Sequence, residues 1–186
     1  LRCLHNRTRV LHLDELLPVF HGCLLLKDHG ELLKKRVYPA FVDNIHWNRV
    51  AALALALAEM KEFGKNYATL VVRNAQSLAK ALADYGLPVA CPSLGFTKSH
   101  QVFLNYGGFG KGRKVAESLE RANIIADRGV RLGVCELTRR GMKQNEMQRV
   151  AEFIKRVIID REKPQKVKAE VIGFVAEFRE VKFCFE

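Results

Sequence analysis

The chain has no C-x-x-C pair. Its five cysteines, Cys3, Cys23, Cys91, Cys135 and Cys184, are scattered singly, which argues against a zinc ribbon, a redox dithiol or a disulfide framework and leaves buried free thiols as the expectation. It also lacks a long hydrophobic run. The longest, residues 50–58, is alanine-rich and bounded by Arg49 and Glu59, about half the roughly 20 residues a bilayer crossing needs, so no membrane span is expected. The first residues carry arginines but no uninterrupted apolar stretch ending in a small-residue cleavage site, so no secretory signal is read and a cytoplasmic location is expected. Acidic residues are the minority: 20 Asp and Glu against 31 Lys and Arg give a formal charge of +11. Such a charge attracts polyanions. The basic residues are nevertheless spread along the whole chain and mixed with Glu, as in residues 143–162, instead of being gathered in one arm or interleaved with aromatics. Nucleic acid is therefore not an expected partner. His46 and His100 have no partner ligands at a suitable spacing, so no metal site is expected.

What is present is enough for a core: 186 residues, 48% of them hydrophobic, fit one generous domain or a domain with an appended segment. Residues 1–21 show no clean period and read as a separate, atypical N-terminal segment. After them, Cys23, Leu24, Leu25 and Leu26 suit a buried strand and residues 28–35 a short polar helix. Apolar residues recur at helical spacing over 47–85, with Gly64 marking a bend or a join between two helices. Gly86-Leu87-Pro88 ends that stretch. Short strands are predicted at 89–91, 101–104, 124–125 and 130–134, and an amphipathic helix at 111–122. A further helix is predicted over 142–159, with Met147, Val150, Ala151, Ile154, Val157 and Ile158 on one stripe, and a last one over 166–180 after Pro164. This alternation predicts an α/β or α+β layer, helices packed on one face of a three- or four-stranded, mostly antiparallel sheet.

Five blocks carry a resemblance. Arg36-Val37-Tyr38-Pro39 leads into Asn44-Ile45-His46-Trp47-Asn48-Arg49-Val50-Ala51-Ala52-Leu53-Ala54; then come Thr97-Lys98-Ser99-His100-Gln101-Val102 and Ala122-Asn123-Ile124-Ile125. Gly129-Val130-Arg131-Leu132-Gly133 and Leu137-Thr138-Arg139-Arg140-Gly141-Met142 complete the order. Together they resemble the C-terminal part of serine hydroxymethyltransferases, in the archaeal form, over about residues 22–159. The resemblance implies the small C-terminal domain of the aspartate aminotransferase fold type, spanning 22–186, with a helical link at 46–85 and the sheet and helices at 86–186. It implies a pyridoxal-phosphate enzyme that interconverts serine and glycine with a tetrahydropterin one-carbon carrier, and a homodimer.

The family's carboxylate-gripping arginine maps onto Arg131, a role suited to a planar guanidinium with parallel donors; a strand-end arginine paired with a local acid is the plainer reading of the same residue. Asp43 and Asn44 fall in the vicinity of the cofactor phosphate, where Asn44 could equally cap the following helix. Arg139 and Arg140 are expected to make backbone or helix contacts. The Schiff-base lysine is absent. No lysine precedes Lys27, and the position the family gives it falls near Asp14, whose carboxylate forms no aldimine. The expectation is a chain inactive alone, either a truncated or disrupted copy with substitute sequence over 1–21 or a free-standing binding or dimerisation module that uses residues 50–58 as its face.

Overall fold

In a computed structural model of the protein, the residues described are 11–12, 46–107 and 109–185. They divide into two compact units, one holding 46–62 and the other 11–12 with 63–185. The strand predicted at Cys23, the helix at 28–35 and the positions Asp14, Asp43 and Asn44 lie outside the described residues. No helix among the described residues is long and apolar enough to cross a membrane.

The longest element, α1, is one uninterrupted helix, Trp47–Asp84, rather than two. Gly64 costs about 1 kcal/mol against alanine inside a helix, too little to break a stretch so rich in Ala and Leu. The boundary between the two units nevertheless falls beside it, between Glu62 and Phe63. The helix ends as the sequence predicts. Gly86 takes φ 84, and the N–H groups of Leu87 and Gly86 return to the carbonyls of Leu82 and Ala83 at 3.0 and 2.8 Å, satisfying two of the last orphan acceptors.

Three further helices match their periodicity: α2 (Phe109–Arg121), α4 (Gln144–Ile158) and α5 (Pro164–Ala176), with a short α3 (Cys135–Arg139) between. Pro164 opens α5 instead of standing outside it, because a first-turn N–H has no helical partner to lose. Glu146 caps α4 by accepting the N–H of Lys143 at 2.7 Å. The stripe is buried as predicted for Met147, Val150, Ala151, Ile154 and Val157, and Phe153 joins it. Val71, Ala75, Leu78 and Leu82 of α1 and Val167, Val171 and Val175 of α5 belong to the same core.

Among the described residues the strands form two pairs. Strands β1 (Leu11–His12) and β3 (Ile124–Ile125) run parallel, while β2 (Gln101–Phe103) and β4 (Arg131–Gly133) are antiparallel with Val102 opposite Leu132 and Phe103 opposite Arg131. The strand expected at 89–91 shrinks to a bridge between Val89 and Leu104, since Pro88 and Pro92 on either side have no N–H for a ladder. Buried thiols were expected, but Cys91 is exposed and Cys135 and Cys184 are half-buried. Cys91 sits at φ 55 beside the 3-10 turn Pro92–Leu94, where the chain turns at the surface.

Charges tie α4, α5 and the link between them. The Arg156 guanidinium reaches Glu162 at 2.6 Å and Glu170 at 2.6 and 2.8 Å, and Lys166 adds 2.9 Å to Glu162. The hydrogen bond from Arg156, then that from Lys166, hold the Glu162 carboxyl down to about 2. Because this pKa is depressed on folding, its contribution is complete above about pH 4.5 and is lost as pH falls towards 2. The thermal midpoint should drop across that window, and Arg156→Met should flatten the drop; an equal slope in both proteins would count against the network.

Candidate functional site

The 126–131 segment joins β3 to β4 and places Arg131 at the head of β4. Alternation along β4 turns Leu132 inward, fully buried, and leaves Arg131 outward with 57% of its side chain exposed. The turn is tight. The Val130 N–H donates to the Asp127 carbonyl at 2.9 Å, the Arg131 N–H donates to Asp127 Oδ1 at 2.9 Å, and Arg131 Nε and Nη2 both meet Asp127 Oδ2 at 2.5 Å. Arg131 is thus a strand-end arginine paired with a local acid, and its Nη1 has no partner among the described residues. Gly112 of α2 comes so near this turn that an added Cβ would lie 2.6 Å from the Arg128 carbonyl, so only glycine permits the approach.

Behind β4 the chain is pinned to α1. Thr138 of α3 donates to the Val134 carbonyl at 2.8 Å, and the buried Asn74 amide donates to Thr138 Oγ1 and to the Met142 carbonyl, both at 2.9 Å. Tyr67 donates to the Cys135 carbonyl at 3.1 Å; burial first, and the neighbouring Cys135 second, push its hydroxyl well above the usual range. Arg140 donates through Nε to the Phe178 carbonyl at 2.8 Å, the backbone contact expected of it. The carbonyl of Arg139 accepts the Lys182 N–H at 2.7 Å. The His46 carbonyl accepts the N–H groups of Arg49 and Val50 at the start of α1, and the His100 carbonyl accepts that of Val134. The sequence alone assigns no role to Asp127, Asn74 or Thr138, although Thr138 stands in the 137–142 block. Asn74 left a trace, being the polar residue on the apolar stripe of Val71 and Leu78, whereas Asp127 left none.

Pyridoxal phosphate does not fit the described residues. An imine-forming lysine must lose its proton near neutral pH, which burial promotes, yet no described lysine is buried. Lys155, the least exposed, is held protonated by its hydrogen bond to Asp160. Two surface cavities, of about 260 and 270 Å³, are lined around Lys80, Asp84 and Tyr85 and around Arg113, Glu117 and Arg128; Arg131 lines neither. Among the described residues, the guanidinium of Arg131 is held by the chain's own Asp127.

A family model described as serine hydroxymethyltransferase matches residues 21–154. The serine hydroxymethyltransferase of Methanocella arvoryzae is 44% identical over 181 residues, covering 89% of this chain and 43% of the relative. That of Nitrosopumilus maritimus is 43% identical over 175 residues, covering 85% and 40%. The chain therefore spans about two-fifths of the length of these curated relatives. Among solved structures, L-threonine transaldolase from Pseudomonas fluorescens, in its internal aldimine state, aligns with a TM-score of 0.76 at 33% identity, over 80% of this chain and 37% of that one. The fold likeness bears out the α/β layer of the aminotransferase fold type. Because the matched span contains the β2–β4 ladder, the turn at 126–131 and Arg131 itself, this chain belongs to the serine hydroxymethyltransferase family.

Proposed function

We propose that residues 22–186 are the part of a serine hydroxymethyltransferase-like protein that grips the amino-acid carboxylate, and that this chain by itself does not turn serine into glycine. The family's cofactor is pyridoxal phosphate, and the whole activity would pass a one-carbon unit to a tetrahydropterin. The observation that carries the reading is Arg131: an outward guanidinium at a strand head, with an edge open to solvent, inside the span matched to the family. A guanidinium stays charged at every working pH and offers parallel donors to a planar oxyanion.

Purified chain supplied with pyridoxal phosphate, glycine and a methylene tetrahydropterin should form no serine. Glycine should still shift the amide resonances of Val130 and Leu132 saturably, and Arg131→Ala should weaken that response about tenfold or more, the scale of a lost charged hydrogen bond. Serine formed by the chain unaided, or an undiminished response in the variant, would sink the reading.

A second reading, a non-enzymatic dimerisation module, has its own support. Trp47, Val50, Ala51, Ala54, Leu57 and Ala58 recur at helical spacing on α1 and are all exposed, Trp47 by 72% and Leu57 by 61%. A face of small and apolar residues lets two helices approach closely. Concentration-dependent sedimentation that Leu57→Glu abolishes, with no glycine response, would select this reading instead.

A further inference from the structure

Arg131 has two edges able to hold a planar oxyanion by parallel N–H donors: a side edge made by Nε and Nη2 and an end edge made by Nη1 and Nη2. Asp127 takes the side edge through Oδ2. The same residue accepts the Arg131 N–H through Oδ1 and the Val130 N–H through its carbonyl, so one side chain and its backbone hold the guanidinium, the strand head and the turn together. Between them Val130 is fully buried at φ 56, a conformation that β-branched residues rarely adopt. Backbone held in such a region clusters at ligand sites, where the surroundings over-determine it. Here the two Asp127 bonds flank it.

We propose that Asp127 is the positioning and selectivity residue of the carboxylate site. It leaves the end edge as the free bidentate face and fixes its direction. Its charge also offsets that of the guanidinium, so a spherical anion, which gains only from net charge, is held poorly, while a planar carboxylate gains two aligned hydrogen bonds. This rests on the reading of Arg131 as the carboxylate contact.

Side-chain NMR of the intact chain tests it, with sodium acetate and sodium chloride titrated separately as probes. Asp127→Asn keeps an oxygen for the Arg131 N–H and removes the charge. In the wild type the Arg131 Nε–H group should be ordered, and acetate should shift it several-fold more strongly than chloride at equal concentration. In Asp127→Asn its order parameter should fall below about 0.6 and the preference for acetate should approach parity. Arg131→Lys, with Asp127 intact and no planar fork, should lose the same preference. An unchanged preference in both variants would overturn the selectivity role, and a mobile Arg131 in the wild type would overturn the positioning role. An ordered Arg131 that ignores acetate would overturn the carboxylate reading itself, and selectivity with it, leaving Asp127 as an orienting contact only.

Discussion

Replacing Phe153 by alanine is expected to cost about 3–5 kcal/mol, the range for deleting a fully buried aromatic ring and leaving its cavity behind. Phe153 is completely shielded from solvent on the inner stripe of α4. Its ring meets Phe174 of α5 edge-on, with centroids 5.7 Å apart at 67°, and lies under the Arg149 guanidinium at 4.6 Å. The substitution removes the ring's transfer free energy, an aromatic pair and a cation–π contact together. Helices on both sides are anchored by other core residues, so the hole cannot close by a small shift. For a chain of this length the midpoint should fall by on the order of 10 °C. Thermal unfolding followed by circular dichroism checks this, with Phe185→Ala as the comparison, because Phe185 is 48% exposed and should change stability little. A drop at Phe153 no larger than that at Phe185 would mean that the α4–α5 layer is not the core described here.

Asn74→Asp should be as damaging, and its effect should depend on pH. The Asn74 amide is fully buried and donates to Thr138 Oγ1 and the Met142 carbonyl. An ionised carboxylate has nothing to donate, would face the Met142 carbonyl as a second acceptor, and would sit uncompensated among Val71, Ala75 and Leu78. Leaving a buried charge without a partner costs about 3–5 kcal/mol, unless the group takes up a proton instead. The introduced carboxyl would therefore have a pKa raised on folding above its unfolded value of about 3.9. A raised folded pKa means that the ionisation penalty is absent below the unfolded value and grows as pH increases towards the folded one. The stability difference between wild type and variant, from urea unfolding, should thus widen from pH 4 to pH 8. A difference independent of pH would show that the carboxyl is reached by water, and that Asn74 is not sealed behind β4.

Several features could be read without coordinates because they depend on near neighbours in the chain. The apolar spacing of α4, the Gly86-Leu87-Pro88 stop after α1 and the burial of Met147, Val150 and Ile154 follow from 3.6-residue periodicity and from backbone preferences of single residues. The order of the five motif blocks likewise needs no fold to point to the family. Elements whose form depends on competition were left open or misjudged. At Gly64 the sequence left two helices or one kinked helix open, and one helix formed because the small local penalty is outweighed along 38 residues. The strand near Val89 was reduced to a bridge by the prolines flanking it.

The site shows the same division. The linear sequence determined that an arginine stands in a G-V-R-L-G segment and which faces of the helices are apolar. Tertiary structure decided which groups meet. In an extended chain, residues four apart lie about 13 Å from one another, yet the turn through Val130 brings Asp127 within 2.5 Å of the Arg131 guanidinium. Asn74 and Thr138 are 64 positions apart and share a hydrogen bond. Periodicity reports only which face of an element is buried. Which residues from different elements share that buried space is settled when the elements pack, because only then must each desolvated donor and acceptor find a partner.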